Sequence, residues 1–192
     1  MLQMNGTPLG MAVLRFKKVA APSETKQACP VREEEMNQVI RSRTDWRERV
    51  VFRLAWITAS RWFEIAVFTP NNFKLEPDGT LVFGLGRGAE TARADPHCFL
   101  RFVRARGQDA LDTITLCGTL RRNEELTNLT NAHVERALAL WGATAHSIKR
   151  GALRHAAPIM ETYNLDPHVV SQLTKHFDSF YLSKNTVRYS GK

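Results

Sequence analysis

Three side chains that carry charge or move protons stand together late in the chain. His146, Lys149 and Arg150 lie three and four positions apart, so an α-helix would place them on one face. Far upstream, Arg61 lies in an apolar stretch, where an arginine normally needs a partner. Considered alone, Arg61 would pair with Glu64, and His146 would be a core or capping histidine. Considered as a set, they indicate chemistry on an anion.

A second histidine and a tyrosine extend this set. His176 follows a predicted amphipathic helix, and Tyr189 lies in a basic context. A phenol has a reference pKa of ~10, so it needs a nearby base and cations to act as a nucleophile. Guanidinium groups can hold the charge that develops on phosphate oxygens, and Lys or His can protonate the leaving hydroxyl. The set therefore fits metal-free cleavage of a phosphodiester, and the sequence suggests no metal, nucleotide or other cofactor.

Composition is compatible with this chemistry. The chain has 192 residues, enough for one domain, and a net charge of +8, which favours a polyanionic partner such as nucleic acid or a membrane surface. No apolar run approaches the ~18 residues that span a bilayer. The 3 cysteines form no C-x-x-C pair, so we expect neither a zinc site nor a disulfide framework. An intracellular, reducing compartment is expected.

The elements that must position the set are predicted to be mostly helical. Residues 1–29 are interrupted by Gly and Pro and are predicted to be a weakly ordered lead-in, while residues 30–192 form the domain. Asp45 or Thr44 is expected to cap the second helix, and Asn131 a later one. Helices are predicted near 32–40, 45–60, 109–116, 131–141, 146–160 and 167–175, with a short one near 189.

A small three-stranded antiparallel sheet is predicted between these helices, which makes the fold class α+β. Strands at 73–75 and 80–83 flank Glu76-Pro-Asp-Gly79, a turn sequence because Pro presets φ and Gly accepts positive φ. A third strand is predicted at about 98–103. Between them, Gly84-Leu-Gly86-Arg-Gly88 lacks the spacing of a dinucleotide fingerprint, so a flexible loop is the better interpretation.

In this order the residues resemble the catalytic domain of the tyrosine recombinases, the phage-integrase and Cre-like family. Thr58-Ala-Ser-Arg61-Trp-Phe-Glu64 resembles the first-arginine box, Thr-Gly-x-Arg-x-x-Glu, and Ala145-His146-Ser147-Ile-Lys149-Arg150-Gly151-Ala152 resembles the box His-Ser-x-Arg-x-Gly-Ala. Lys175-His176 lies where the family has a third His or Trp, and Thr186-Val-Arg-Tyr189 looks like the nucleophile box. The match covers roughly residues 30–190, and its wording is also similar to recombinases of DIRS-like or VIPER-like retrotransposons.

The resemblance implies a role for each residue. Arg61 would hold the scissile phosphate, His146 would transfer a proton and His176 would bond a non-bridging oxygen. Tyr189 would form a 3′-phosphotyrosyl link that preserves the phosphoester for rejoining during recombination or integration. The implied partner is double-stranded DNA, bound by a homo-oligomer without membrane or small-molecule cofactor, in the nucleus if the source is eukaryotic. Further residues expected to contact DNA are Arg87, Arg93, Lys175 and Arg188.

Two positions depart from the family pattern in charge or donor geometry. Lys149 stands where the second arginine is expected, and lysine keeps the charge but lacks the bidentate fork. Arg150, one position later, is the alternative. Glu90 lies where the family has a hairpin lysine. These substitutions leave two hypotheses open, an active recombinase and a DNA-binding domain that has lost turnover.

Spacing and length leave further alternatives. Thirteen positions separate His176 from Tyr189, longer than the family's usual spacing, so Tyr181 is a second candidate nucleophile. Most of the N-terminal domain that lets such enzymes encircle DNA is not recognisable, which is expected of a truncated or degenerate copy. A type IB topoisomerase shares the chemistry with a poorer match to the boxes, and a basic interaction protein without nucleic acid is the remaining class.

Overall fold

The described part of the protein combines α-helices with one small antiparallel sheet. The structure, a computed structural model, describes residues 28–85 and 101–163. The predicted lead-in up to residue 27, the predicted helix at 167–175 and the one near 189 lie outside these ranges. The elements are α1 (Glu33–Ser42), α2 (Trp46–Ile57), α3 (Trp62–Ala66), β1 (Phe73–Leu75), β2 (Leu81–Leu85), β3 (Arg101–Ala105), α4 (Gly107–Gly118), α5 (Asn131–Ala137) and α6 (Ala145–Thr162). The α+β class is therefore confirmed.

Helix α2 lies at the centre of the core and contacts α1, α3, α4 and α6. Asp45 caps it as predicted, because its carboxylate accepts a hydrogen bond from the backbone N–H of Arg47 at 2.8 Å. Both faces of α2 are apolar: Val51, Phe52 and Leu54 are all buried. A helix that is apolar on most sides must be covered by neighbours on most sides, and α2 is the scaffold on which the others pack.

The three strands form one sheet in the order β1-β2-β3, with both pairs antiparallel. The predicted turn between β1 and β2 is confirmed. Gly79 has φ +79°, and the Asp78 carboxylate accepts from both the N–H and the hydroxyl of Thr80, at 2.9 Å each. These bonds lower the pKa of Asp78. Strand β3 ends at Ala105, two residues later than predicted, where Arg106 leads directly into α4.

The region before α6 differs from the prediction in two details. Thr130, not Asn131, caps α5, and its hydroxyl accepts from the N–H of His133 at 3.4 Å. The helix predicted to continue to Trp141 ends at Ala137 and is followed by a 3₁₀ turn, Ala139–Trp141. Gly142 then adopts φ +58°, a left-handed conformation that glycine accepts without strain, and it stops the chain from continuing as a helix.

Helix α6 carries the residues of greatest chemical interest and runs longer than the predicted 146–160. Thr144 precedes it: the hydroxyl of Ser147 accepts from the N–H of Thr144 at 2.9 Å, and the N–H of Ser147 donates to the Thr144 carbonyl at 2.9 Å, which fixes the helix start. Pro158 lies inside the helix, and Thr162 donates through its hydroxyl to the Pro158 carbonyl at 2.8 Å. Across the described ranges, no helix combines the length and the apolar character that crossing a bilayer requires.

Candidate functional site

The chain between α2 and α3 is held in a specific turn. The backbone N–H of Ser60 donates to the Ala55 carbonyl at 3.2 Å, and that of Ala59 to the Trp56 carbonyl at 3.0 Å. These two bonds form a Schellman motif, which normally places glycine at the left-handed position. Here that position is Ala59, with φ +47°. The turn ends α2 and delivers the next residue, Arg61, at the start of α3.

Arg61 is fixed through its main chain. Its backbone N–H donates to Oε2 of Glu64 at 2.9 Å, so the carboxylate closes the first turn of α3. The guanidinium carbon of Arg61 lies 6.0 Å from the ring centroid of Phe63, within the range of a cation–π contact. The sequence offered Glu64 as the partner of Arg61, and in the structure the Glu64 carboxylate bonds the backbone amide of Arg61. Trp62 anchors the same turn by donating to the Leu129 carbonyl at 2.7 Å.

His146 lies in the first turn of α6, and its environment includes residues of both predicted boxes. Its pKa is lowered, first by burial and then by the positive charges of Arg61, Lys149 and Arg150, while Glu64 acts in the opposite direction. Coulombic effects of this kind fall off with distance and with screening. Helix α3 packs against α6, and charged residues from the start of α3 and from α6 both affect this imidazole. We refer to these five residues as the His146 cluster.

The two basic residues that follow His146 on α6 differ in their surroundings. Lys149 is 1% exposed and belongs to the interior, whereas Arg150 is half-buried. Nη1 of Arg150 donates to the carbonyl oxygen of Ala28 at 2.6 Å, outside the cluster. His146, Lys149 and Arg150 lie on one helix with the expected spacing. Lys149 and Arg150 nevertheless differ in burial and in hydrogen-bond partners.

The described residues contain only part of the predicted site. Of its six catalytic candidates, Arg61, His146, Lys149 and Arg150 are described, and His176 and Tyr189 lie outside the described residues. The same holds for Glu90 and Tyr181. The predicted DNA contacts Arg87, Arg93, Lys175 and Arg188 also lie outside the described residues.

Three polar residues were not singled out as functional in the sequence: Glu64 of the cluster, and Thr58 and Ser60 in the turn before Arg61. Glu64 acts electrostatically on His146, and the capping-box spacing to Arg61 was the signal for it. Thr58 and Ser60 are both 0% exposed, and the Thr58 hydroxyl donates to the Leu54 carbonyl at 2.7 Å. Their burial depends on long-range packing, for which the sequence gives no local signal.

The cluster is suited to an anion and to proton transfer. Three cationic side chains around one imidazole produce a positive field, which favours a phosphate group. Because the pKa of His146 is lowered, its imidazole is neutral near pH 7 and able to accept a proton. No group of three or more His, Cys, Asp or Glu side chains suited to a metal ion occurs within residues 28–85 and 101–163.

Other features of the described chain offer less chemistry. Burial raises the pKa of the Cys117 thiol to about 11, so it is protonated and a poor nucleophile at neutral pH. A cavity of about 450 Å³ lies between α2 and α4 and is lined by residues that include Trp46, Arg53 and Asp109. Arg53 and Asp109 form an ion pair there, with Nε and Oδ1 3.0 Å apart. This cavity is separate from the His146 cluster.

Comparison with known proteins adds no relative to this picture: no protein-family model matches the chain, and no curated protein matches its sequence.

Proposed function

We propose that the chain is the catalytic domain of a tyrosine recombinase that cleaves and rejoins double-stranded DNA through a 3′-phosphotyrosyl intermediate at Tyr189. The observation that carries this proposal is that α3, which begins directly after Arg61, packs against α6, which carries His146, so that the charge of Arg61 contributes to lowering the pKa of His146. Arg61 and His146 belong to separate boxes, far apart in sequence, and the recombination chemistry requires both at one phosphate. The sequence resemblance by itself does not say that Arg61 and His146 lie on elements that pack together.

Two further observations support the proposal. Along the chain, the three-stranded sheet comes after Arg61 and before the helix that carries His146. The family's β-hairpin comes at the same point, between its two boxes. In addition, Ala59 occupies the position where the first-arginine box has glycine, and its φ of +47° is the conformation that glycine favours. This backbone conformation supports the match to the box, because glycine adopts it without strain.

In the proposed reaction, Arg61 holds the non-bridging oxygens of the scissile phosphate, and the buried Lys149 adds positive charge that stabilises the transition state. His146 accepts the phenolic proton as the Tyr189 oxygen attacks phosphorus, and the bond from phosphorus to the 5′-oxygen of the next nucleotide breaks as that oxygen takes a proton from water. His176 bonds a non-bridging oxygen. The enzyme acts as a homo-oligomer on DNA, and a mobile element of the DIRS-like or VIPER-like kind is its proposed source.

The test is covalent capture of DNA from a library. Double-stranded oligonucleotides with a randomised centre and staggered nicks, which trap cleaved strands, are incubated with protein in EDTA. Adducts that survive boiling in SDS are sequenced. The proposal expects selected DNA attached to Tyr189, no adduct for Tyr189→Phe, and an unchanged adduct for Tyr181→Phe. Wild-type protein that yields no adduct from the library, at low or moderate salt, would contradict it.

A DNA-binding domain without turnover is the second candidate, because Lys149 lacks the fork of an arginine and Glu90 replaces a lysine. This candidate expects DNA binding that weakens steeply with salt, since phosphate contacts release counterions. It also expects no adduct for the wild type and an adduct for the double variant Lys149→Arg with Glu90→Lys. Absence of binding even at low salt would exclude both candidates.

A further inference from the structure

Arg150 connects α6 to the chain that precedes α1. Residues 28–32, which we call the leading segment, come directly before α1. The Arg150 guanidinium donates from Nη1 to the carbonyl oxygen of Ala28, at the start of this segment, at 2.6 Å. A hydrogen bond from a charged donor is stronger than one between neutral groups. Arg150 therefore has a structural partner on a part of the chain that no predicted box includes.

The leading segment lies directly on the backbone of α6. The N–H of Val31 donates to the carbonyl oxygen of Ser147 at 3.2 Å. One turn further along α6, a Cβ on Gly151 would overlap the carbonyl oxygen of Val31 and approach the Trp56 ring to 3.0 Å. Positions four apart lie on one side of a helix. The absence of a side chain at Gly151 is thus what allows the segment to approach this side so closely.

The contact continues into the first residue of α1. Oε2 of Glu33 lies 3.4 Å from Nδ1 of His155, two turns after Ser147 on α6. The His155 ring also lies 5.9 Å from the ring of Trp56 on α2. The leading segment and the start of α1 therefore follow α6 over several turns, and the Arg150 bond is the contact at the far end of the segment.

We propose that Arg150 is a positioning residue, which fastens the leading segment to α6 and thereby fixes where the first turns of that helix present His146 and Lys149. Lys149, which is 1% exposed, is then the second cation of the cluster. From the sequence, either Lys149 or Arg150 could take the place of the second arginine. The geometry assigns Lys149 to the cluster and Arg150 to the attachment of the leading segment. The catalytic consequence rests on the proposed function, whereas the structural role of Arg150 does not.

The identity of the side chain matters for this role. An arginine reaches a carbonyl with a planar fork of N–H donors, whereas a lysine offers a single ammonium with a different reach. Arg150→Lys should therefore keep the charge near His146 and retain part of the attachment. Arg150→Met should remove both. Arg154, on the same helix and exposed, gives a matched control, because Arg154→Met removes the same charge without touching the leading segment.

Hydrogen exchange at the Val31 amide, measured by NMR, tests the attachment without any DNA. We expect Arg150→Met to speed exchange by about tenfold, the effect of losing a hydrogen bond with a charged donor, and Arg154→Met to leave it unchanged. Gly151→Ala should speed it as well, although every charge of the cluster remains. Arg150→Lys should lie between wild type and Arg150→Met. A Val31 amide that exchanges at the wild-type rate in Arg150→Met would overturn the proposal.

Binding and cleavage separate positioning from phosphate contact. With DNA selected from the library, Arg150→Met should lower kcat by about tenfold, because a misplaced catalytic group reacts slowly. It should leave the salt dependence of DNA binding unchanged. Arg61→Met, at a half-buried side chain that the proposed function places on the phosphate, should reduce that slope by about 0.9, the value for one phosphate contact. A similar reduction in Arg150→Met would overturn the assignment. If the wild type neither binds nor cleaves DNA, the proposed function fails while Val31 exchange still decides the role of Arg150.

Discussion

The carboxylate of Glu64 accepts the backbone N–H of Arg61 at 2.9 Å and also raises the pKa of His146 against the effect of three cations. One side chain therefore holds the start of α3 and moderates the positive field of the His146 cluster. These two functions can be separated by substitution, because glutamine retains an oxygen acceptor and loses the charge.

Glu64→Gln should lower the pKa of His146 further, since a negative charge that raises this pKa is removed. The titration of His146 by NMR measures this directly. Glu125→Gln, an exposed substitution in the loop before α5, is the control and should leave the titration unchanged. An upward shift in Glu64→Gln would contradict the electrostatic account.

Ala59→Gly should stabilise the fold. A non-glycine residue at φ +47° is strained by roughly 1–2 kcal/mol, and glycine adds roughly 0.4–1 kcal/mol of unfolded-state entropy, so the expected net gain is about 0.5–1 kcal/mol. Urea denaturation of the two proteins measures it. Ala55→Gly, in the interior of α2, is the matched control and should destabilise by about 1 kcal/mol. Equal losses at both positions would show that the turn is unstrained.

Stability should decrease as the pH falls because of His146. Its pKa in the folded protein is below the ordinary histidine value of 6.5, so as the pH falls the unfolded state binds the proton first. The contribution of His146 is fully present above pH 6.5 and is lost as the pH falls through the lowered folded pKa. Urea midpoints between pH 8 and pH 5 should fall less steeply for His146→Gln than for the wild type. Parallel profiles would show that His146 titrates normally.

The two described cysteines should differ in reactivity. Burial raises the pKa of Cys117 to about 11, whereas Cys29 is exposed. Since the thiolate is the reactive species, iodoacetamide at pH 8 should modify Cys29 first and Cys117 slowly. Peptide mass spectrometry over a time course measures both rates. Addition of urea should make Cys117 react quickly, and fast modification without urea would place the thiol in an open environment.

Local features were the part of the fold that the sequence could predict. The turn at Pro77-Asp78-Gly79 and the cap at Asp45 depend on residues within a few positions of each other, so their chemistry is readable in the chain. The cap of α5 was misplaced by one residue because Thr130 and Asn131 are both good caps. Only the hydroxyl of Thr130 reaches the N–H of His133.

The arrangement of the site could be predicted only in part. The spacing of His146, Lys149 and Arg150 predicted a shared helix, and that helix exists. Spacing could not predict that Lys149 is buried or that Arg150 bonds Ala28, because both depend on segments that are distant in sequence. Gly151 matches the glycine of the second box, but the sequence could not show why glycine is needed there, since the reason is a passing backbone rather than a turn.

Pro158 divides α6 into two parts of unequal cooperativity. A proline has no N–H, so it cannot donate to the carbonyl of Arg154, and the regular ladder is interrupted one turn after the last contact with α1. Unwinding beyond the proline consequently breaks one hydrogen bond fewer than it would in a complete ladder. The far end of the helix should therefore fray at lower cost than the turns that bear the imidazole, since α6 packs on α1, α2 and α3.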